Sequence, residues 1–299
     1  MKANGKTGDY RQRTSKMAWI FVTPAVILLS VFTIFPMIAS LIMGFWDVDI
    51  FLAGAKFIGF GNFKEALRDD RFLNSIWVTI KFTLIEVPTQ MLTGLLLAAL
   101  ITRNSISNKL FRGIYFMPII CSATAVGIMW RMFLNSQIGL FTHFLEQFGL
   151  RNLNFLNSTT LTFYVIVFMS VWKTFGISTI ILVSAMQNVS ADLYEAADLD
   201  GCSKVKQFFA ITLPLIKPTV VFVLMTRLIG SLQVFDLIFT TTGGGPNFTT
   251  ESMVTYIYTR AFSTSTRLGY ASALSEFLFA LILVITVILY GKMYMKENT

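Results

Sequence analysis

Residues Met17 to Trp46 carry no charged side chain, and five further apolar stretches follow at approximately Asn74 to Ile101, Leu110 to Phe133, Leu161 to Met186, Thr219 to Phe239 and Ala271 to Met293. About 20 apolar residues are what a helix needs to cross a bilayer, where only an internally hydrogen-bonded backbone is tolerated. The first stretch is also far longer than the roughly 7 to 15 apolar residues of a secretory signal, so it reads as a retained span. The sequence predicts an all-α, polytopic membrane protein with six transmembrane helices and both termini on one side. Pro24 and Pro36 are expected to bend the first span or mark its margins.

Composition agrees, with 55% hydrophobic and 13% charged residues against about 25% charged in soluble domains. The net charge of +8 does not indicate nucleic acid, because the basic surplus sits at the ends of the spans. Thirteen Lys and Arg lie in the N-terminal tail, the 102–112 turn, the loop after Tyr194 and the C-terminal tail, against eight on the opposite side. That excess puts both termini and the Tyr194 loop in the cytoplasm. The expected organisation is a tail at 1–16, a first transmembrane helix and outer loop at 17–71, a five-helix core at 72–293 and a short tail at 294–299. In the outer loop, Asn62 with Glu65 resembles a capping box opening a short helix with Phe63, Ala66 and Leu67 on one side.

Catalytic and metal chemistry find no foothold. Cys121 and Cys202 have no C-x-x-C spacing, and His143 is the only histidine and has no nucleophile beside it. Gly5-Lys6-Thr7 spells the end of a phosphate-binding loop, but its first glycine is missing and no strand precedes it. No metal ion or cofactor is expected on this chain, which reads as a transporter rather than an enzyme.

The charged island from Tyr194 to Pro218 is the most informative stretch. Ser190 can cap a short helix, Asp192 and Glu195 suit its positive end, and Gly201 can supply a left-handed stop. A second helix is expected from Ser203 to about Thr212, ended by Pro214 and Pro218, which have no amide hydrogen. Leu193, Ala196 and Ala197 fall at i, i+3 and i+4, a narrow small-residue face on which another protein can close.

This island resembles the EAA loop of the membrane subunits of binding-protein-dependent ABC importers, with Glu195, Ala196, Ala197, Gly201, Ile211, Leu213 and Pro214 at the matching positions. The resemblance implies a type I ABC importer permease fold with a cytoplasmic coupling helix at 190–218, seated in a groove of an ATP-hydrolysing subunit. ATP and Mg would belong to that partner, since this chain carries no ATPase motif. Val234 to Pro246, ending in Gly243-Gly244-Gly245-Pro246, is similar to one half of the permease pairs for oligosaccharides and glycerol phosphate. Phe57 to Phe63 also looks like the first external loop of sugar-type subunits. The implied partners are a second related permease chain, two ATPase domains, an extracytoplasmic solute-binding protein, membrane lipid and a sugar, in a bacterial or archaeal cell membrane. The Gly-rich stretch itself reads as a flexible outer turn.

Lys81, Glu86, Lys173, Arg227, Asp236 and Glu276 fall inside expected spans, where a charge costs at least about 2.5 to 3.5 kcal/mol unless paired or watered. Lys81 can snorkel to the outer end of its span, and Arg227 reads as a charge pair or inner anchor. Trp172, Lys173, Gln233, Asp236 and Glu276 are the candidates for a wet sugar path, the aromatic ring covering a pyranose face. An ion pair from Lys173 to Asp236 or Glu276 is the competing reading. Glu86, two residues before Pro88, suits a kinked backbone as well as a substrate. The alternative function is an ion-coupled carrier or channel using Glu86, Asp236 and Glu276. Such carriers often show more spans and internal repeats, and neither is visible.

Overall fold

The computed structural model describes residues 19–51, 54–102, 106–149, 154–263 and 266–294. The expected tail at 1–16, its Gly5-Lys6-Thr7 and the last five residues lie outside these. The described chain is helical apart from one two-residue strand pair, and it falls into two compact units, one ending at Ala66 and resumed at Arg260–Glu276, the other covering Leu67–Thr259 and the chain from Phe277.

In the first unit, helix α1 (Trp19–Met43) has a mean hydropathy of 2.5 and no buried residue in its most apolar window. Pro36 does not break it. A π-turn at Ser30–Ile34 precedes that proline, with Phe35 N–H reaching back to the Ser30 carbonyl, and this widening makes room for a ring that lacks an N–H. Strands β1 (Trp46–Asp47) and β2 (Lys56–Phe57) pair antiparallel, Trp46 opposite Phe57. Helix α2 (Gly61–Ala66) follows. Asn62 is not its cap: it lies inside the helix, buried, and its amide donates to the Gly44 carbonyl at 3.0 Å and the Trp46 carbonyl at 2.9 Å. Glu65 instead takes the guanidinium of Arg267, and Leu67 is left exposed. A long-range fork outcompeted the local cap.

The second unit is built on helix α3 (Asp70–Ile101) packed along helix α7 (Leu161–Gln187). Asp69 caps α3 by accepting from the N–H groups of Arg71 and Phe72. The third apolar stretch is not one straight span. Helices α4 (Ile106–Ile120) and α5 (Ala123–Phe133) meet at 100° across Cys121 and Ser122, where Ser122 turns extended (ψ 139°) beyond Pro118. A short helix, α6 (Leu140–Glu146), follows.

The fifth stretch is divided as well. Beyond the charged island's first helix, α8 (Ala191–Leu199), helix α9 (Lys204–Leu215) meets α10 (Lys217–Leu232) at 74°. A second π-turn at Phe208–Thr212, with Leu213 N–H on the Phe208 carbonyl, admits Pro214, and α9 ends one residue later at Leu215, the bend falling between Pro214 and Pro218 as expected. Pro218 opens α10, the first-turn position where a missing N–H costs nothing. The chain then breaks before helix α11 (Asp236–Thr241), and the Val234 carbonyl in the break accepts from the Ser252 hydroxyl at 2.7 Å. Four helices are long and apolar enough to cross a membrane alone, and six spans result when each bent pair counts as one.

The Gly-rich turn, expected to be flexible, is packed rather than free. Arg71 donates Nε and Nη2 to the buried Glu251 carboxylate, each at 2.7 Å, and lies 3.9 Å from the Phe248 ring centroid. Gly243 (φ 61°) and Gly244 (φ 95°) supply the left-handed backbone this turn needs. Helix α12 (Met253–Phe262) leaves it, and helix α13 (Leu268–Tyr294) is the last span.

Candidate coupling loop and substrate path

The island from Ser190 to Leu215 folds as a braced helix–turn–helix. Ser190 Oγ accepts from the Asp192 N–H at 3.3 Å. At the far end Gly201 is left-handed (φ 72°), its N–H donates to the Asp198 carbonyl and the Cys202 N–H to the Ala197 carbonyl. Two orphan carbonyls are thereby satisfied, as in a Schellman stop. Ser203 then caps α9, accepting from the Lys206 N–H.

Side chains that the sequence did not single out for this role hold the two helices together. Lys204 Nζ lies 2.7 Å from both Asp198 oxygens, and Gln207 Nε2 donates to Asp198 Oδ1 at 2.6 Å and to the Cys202 carbonyl at 3.0 Å. The Lys204 hydrogen bond, with that from Gln207, holds the Asp198 carboxyl below its ordinary pKa. Tyr194 and Thr212 join α8 to the π-turn by a 2.8 Å hydroxyl contact. The two contacts to Asp198, from six and nine residues away, cross the turn and fit neither helix period.

The outer surface of this motif is uncovered. Leu193, Glu195 and Ala196 are exposed, Ala197, Ile211 and Leu213 are half-buried, and Pro214 is exposed. Apolar side chains stand out beside them, with Leu199 91% and Phe209 61% accessible, and among the described residues Glu195 has no hydrogen-bond or ion-pair partner.

Inside the spans, the intramembrane charges divide into two kinds. Arg227 Nη2 of α10 lies 2.6 Å from Glu86 Oε1 of α3, which also accepts from Ser170 of α7 at 3.2 Å. Glu86 is therefore part of a three-helix tie rather than a kink-filler. It sits in a polar seam: Thr83 faces Ser231 at 3.1 Å, and Gln90 takes Ser178 at 3.1 Å and Thr174 at 3.2 Å. Thr83, Glu86 and Gln90 are spaced at three and four residues, one stripe of a helix. Lys81 rests over the Phe163 ring at 4.4 Å.

Lys173, Asp236 and Glu276 make no ion pair among the described residues, which goes against the competing reading of a Lys173 ion pair. Lys173 is half-buried; Gln233 and Asp236 are exposed at the break between α10 and α11 rather than inside a continuous span. Trp172 lies on a neighbouring face of α7, edge-on to Trp130 with centroids 5.5 Å apart. Glu276 belongs to the first unit, its carboxyl against Gly44, where an added Cβ would collide with it.

The model of the family described as binding-protein-dependent transport system inner membrane component matches residues 90–293, a range that includes both helices of the island. The chain belongs to this family. Among similar proteins, the permease is 33% identical over 274 residues to the sulfoquinovosyl glycerol transport system permease protein SmoG of Agrobacterium fabrum, covering 91% of this chain and 88% of the relative. It is 30% identical over 285 residues to the trehalose/maltose transport system permease protein MalF of Thermococcus litoralis, covering 95% and 96%. To the sn-glycerol-3-phosphate transport system permease protein UgpA of Shigella flexneri it is 30% identical over 277 residues, covering 92% and 93%. Its fold matches a chain of a bacterial ABC transporter involved in the import of the acidic polysaccharide alginate, with a TM-score of 0.85 at 24% identity, covering 96% and 98% of the two chains. The permease is thus a membrane transport subunit with the type I importer fold and not an enzyme; ATP hydrolysis is the work of a separate subunit.

Proposed function

We propose that this permease is one half of an unequal pair that carries a sugar, delivered by an external binding protein, across a bacterial or archaeal cell membrane. A di- or oligosaccharide or a sugar derivative fits the cargo named for its relatives. The observation that carries the reading is the exposed helix–turn–helix from Ser190 to Leu215. It is stiffened from within by Asp198, Lys204 and Gln207 yet has Glu195 and Ala196 bare, as a lever needs where another protein is to seat on it. Glu195, Ala196, Ala197, Gly201, Ile211, Leu213 and Pro214 are the proposed contact and pivot residues for ATPase subunits that hold ATP and Mg. The Lys and Arg distribution supports a cytoplasmic position for the loop and both termini, with tails at 1–16 and 294–299 around the outer loop at 47–71 and the 72–293 core.

For the cargo path, Lys173, Gln233 and Asp236 are the proposed polar groups, with Trp172 in the wall beside them. They have no ion-pair partners among the described residues, and they offer the donors and acceptors that sugar hydroxyls require. Glu276 is proposed to tune selectivity or to meet the second permease chain. Affinity purification of this chain from its host in mild detergent tests the reading. A second permease chain and an ATPase should remain bound, and the ATPase should be lost from a Glu195→Lys, Gly201→Trp variant. Recovery of this chain alone as a stable oligomer would refute it and favour the ion-coupled alternative.

A further inference from the structure

Helix α7 has two chemically different sides. At 100° per residue, Tyr164, Phe168, Val171 and Phe175 lie opposite Lys173. Tyr164 and Phe168 are 47% and 55% exposed and form a ridge with an apolar groove on each flank. One groove, of about 400 Å³, runs between the ridge and Trp130, Leu134 and Phe155. The other, of about 380 Å³, runs between the ridge and Thr89, Thr93 and Leu97 of α3, ending at Phe175. From Tyr164 to Phe175 the helix rises roughly 16 Å, about half of the ~30 Å hydrocarbon core, so the second groove is of one-leaflet scale; the first follows α7 only from Leu161 to Phe168, roughly 10 Å.

A cation stands at the head of this ridge. Tyr164 lies in the first turn of α7, where the span begins, and Lys81 Nζ is 5.6 Å from its ring centroid and 4.4 Å from that of Phe163. Lys81 has no carboxylate partner among the described residues. The rings hold the ammonium at the level of the span's end. Leu134 of the first groove also borders a polar recess containing Arg131 and Asn157, a second basic group on that rim.

Two apolar grooves astride an aromatic ridge, one of one-leaflet length and one shorter, with a fixed ammonium at the membrane-boundary end, match one diacyl phospholipid in shape and in charge. We propose that this face of the permease binds a single anionic phospholipid of the leaflet in which α7 begins, one chain on each side of Tyr164 and Phe168 and the phosphate at Lys81. The ridge lies on the opposite side of α7 from Lys173 and away from the coupling loop, and Trp172, the proposed wall of the cargo path, borders the second groove.

Native mass spectrometry of the delipidated, detergent-purified assembly tests this, after adding dioleoylphosphatidylglycerol or dioleoylphosphatidylcholine at equal mole ratio. The phosphatidylglycerol should be retained preferentially. Lys81→Gln should lower its retention about fivefold, as expected for one basic group at a membrane surface, whereas Lys81→Arg should keep it. Thr89→Trp, which fills the second groove from an exposed position, should reduce retention of both lipids with the assembly intact. Equal retention by wild type and Lys81→Gln would overturn the proposal. So would an efficient disulfide between Phe168→Cys and the second permease chain, because the ridge would then be covered by protein.

Discussion

Lys204 holds both carboxylate oxygens of Asp198 at 2.7 Å across the Gly201 turn, so the two helices of the island are fastened by an ion pair as well as by the backbone. The side chains are 65% and 51% accessible. An exposed pair contributes little to global stability. Its consequence is local, since it fixes the angle at which α8 leaves the turn.

Asp198→Asn should therefore leave membrane insertion and assembly unchanged while lowering the sugar transported per ATP hydrolysed. Simultaneous uptake and phosphate-release measurements in proteoliposomes read this ratio. The brace should also follow pH in one direction. The carboxyl's folded pKa is depressed, so its stabilisation is present above the unfolded value of about 3.9 and is lost as pH falls through the lower folded value. Hydrogen-exchange protection factors for residues 199–207 should stay flat from neutral pH to about 5 and drop only in stronger acid.

Gly201 is left-handed, and nothing lies within 4 Å of where its Cβ would be. Substitution there is a backbone problem and not a clash. Gly201→Asn should retain most coupling, because Asn tolerates this region. Gly201→Val should lose it, with the strain of roughly 1–2 kcal/mol falling on the turn. Comparing the two by uptake per ATP separates conformation from bulk.

The Glu86–Arg227 pair makes a different prediction. Removing one partner leaves the other charge buried, so Glu86→Gln or Arg227→Met should destabilise by about 3–5 kcal/mol. The double replacement Glu86→Met, Arg227→Met should recover much of that loss, since a buried pair is often replaceable by packed apolar groups. Thermal unfolding midpoints in detergent should order wild type and double variant above both single variants.

Gly176 of α7 is a close-approach position, where a Cβ would run into the Tyr115 carbonyl of α4. Backbone cannot swing aside as a side chain can. Gly176→Ala should lower folded yield in membranes, whereas Gly113→Ala, with open space around it, should not.

The parts of this account legible in the sequence are those set by local rules. Apolar runs disclosed the spans, and Ser190, Gly201 and Ser203 disclosed the island's caps and turn, because each acts on residues within a turn of itself. Three of the misreadings share one cause, contacts distant in the chain. Gly243 to Pro246 suggested a flexible turn, but Arg71 grips Glu251 from 180 residues away. The break after Leu232 is stabilised by Ser252, 18 residues on, and Glu86 finds Arg227 across 141. Pro36 was expected to bend its span or mark its margin, and a π-turn absorbs it because one extra residue per turn clears the ring.

The most direct test of the central claim is cysteine cross-linking of Glu195→Cys in the otherwise intact assembly, with uptake and ATP hydrolysis followed before and after oxidation. A disulfide to a cysteine in the groove of the ATPase, abolishing uptake and restored by reductant, is the predicted result. Failure to cross-link any ATPase position, with normal ATP-driven uptake by Glu195→Lys, would contradict the assignment of this loop as the coupling element.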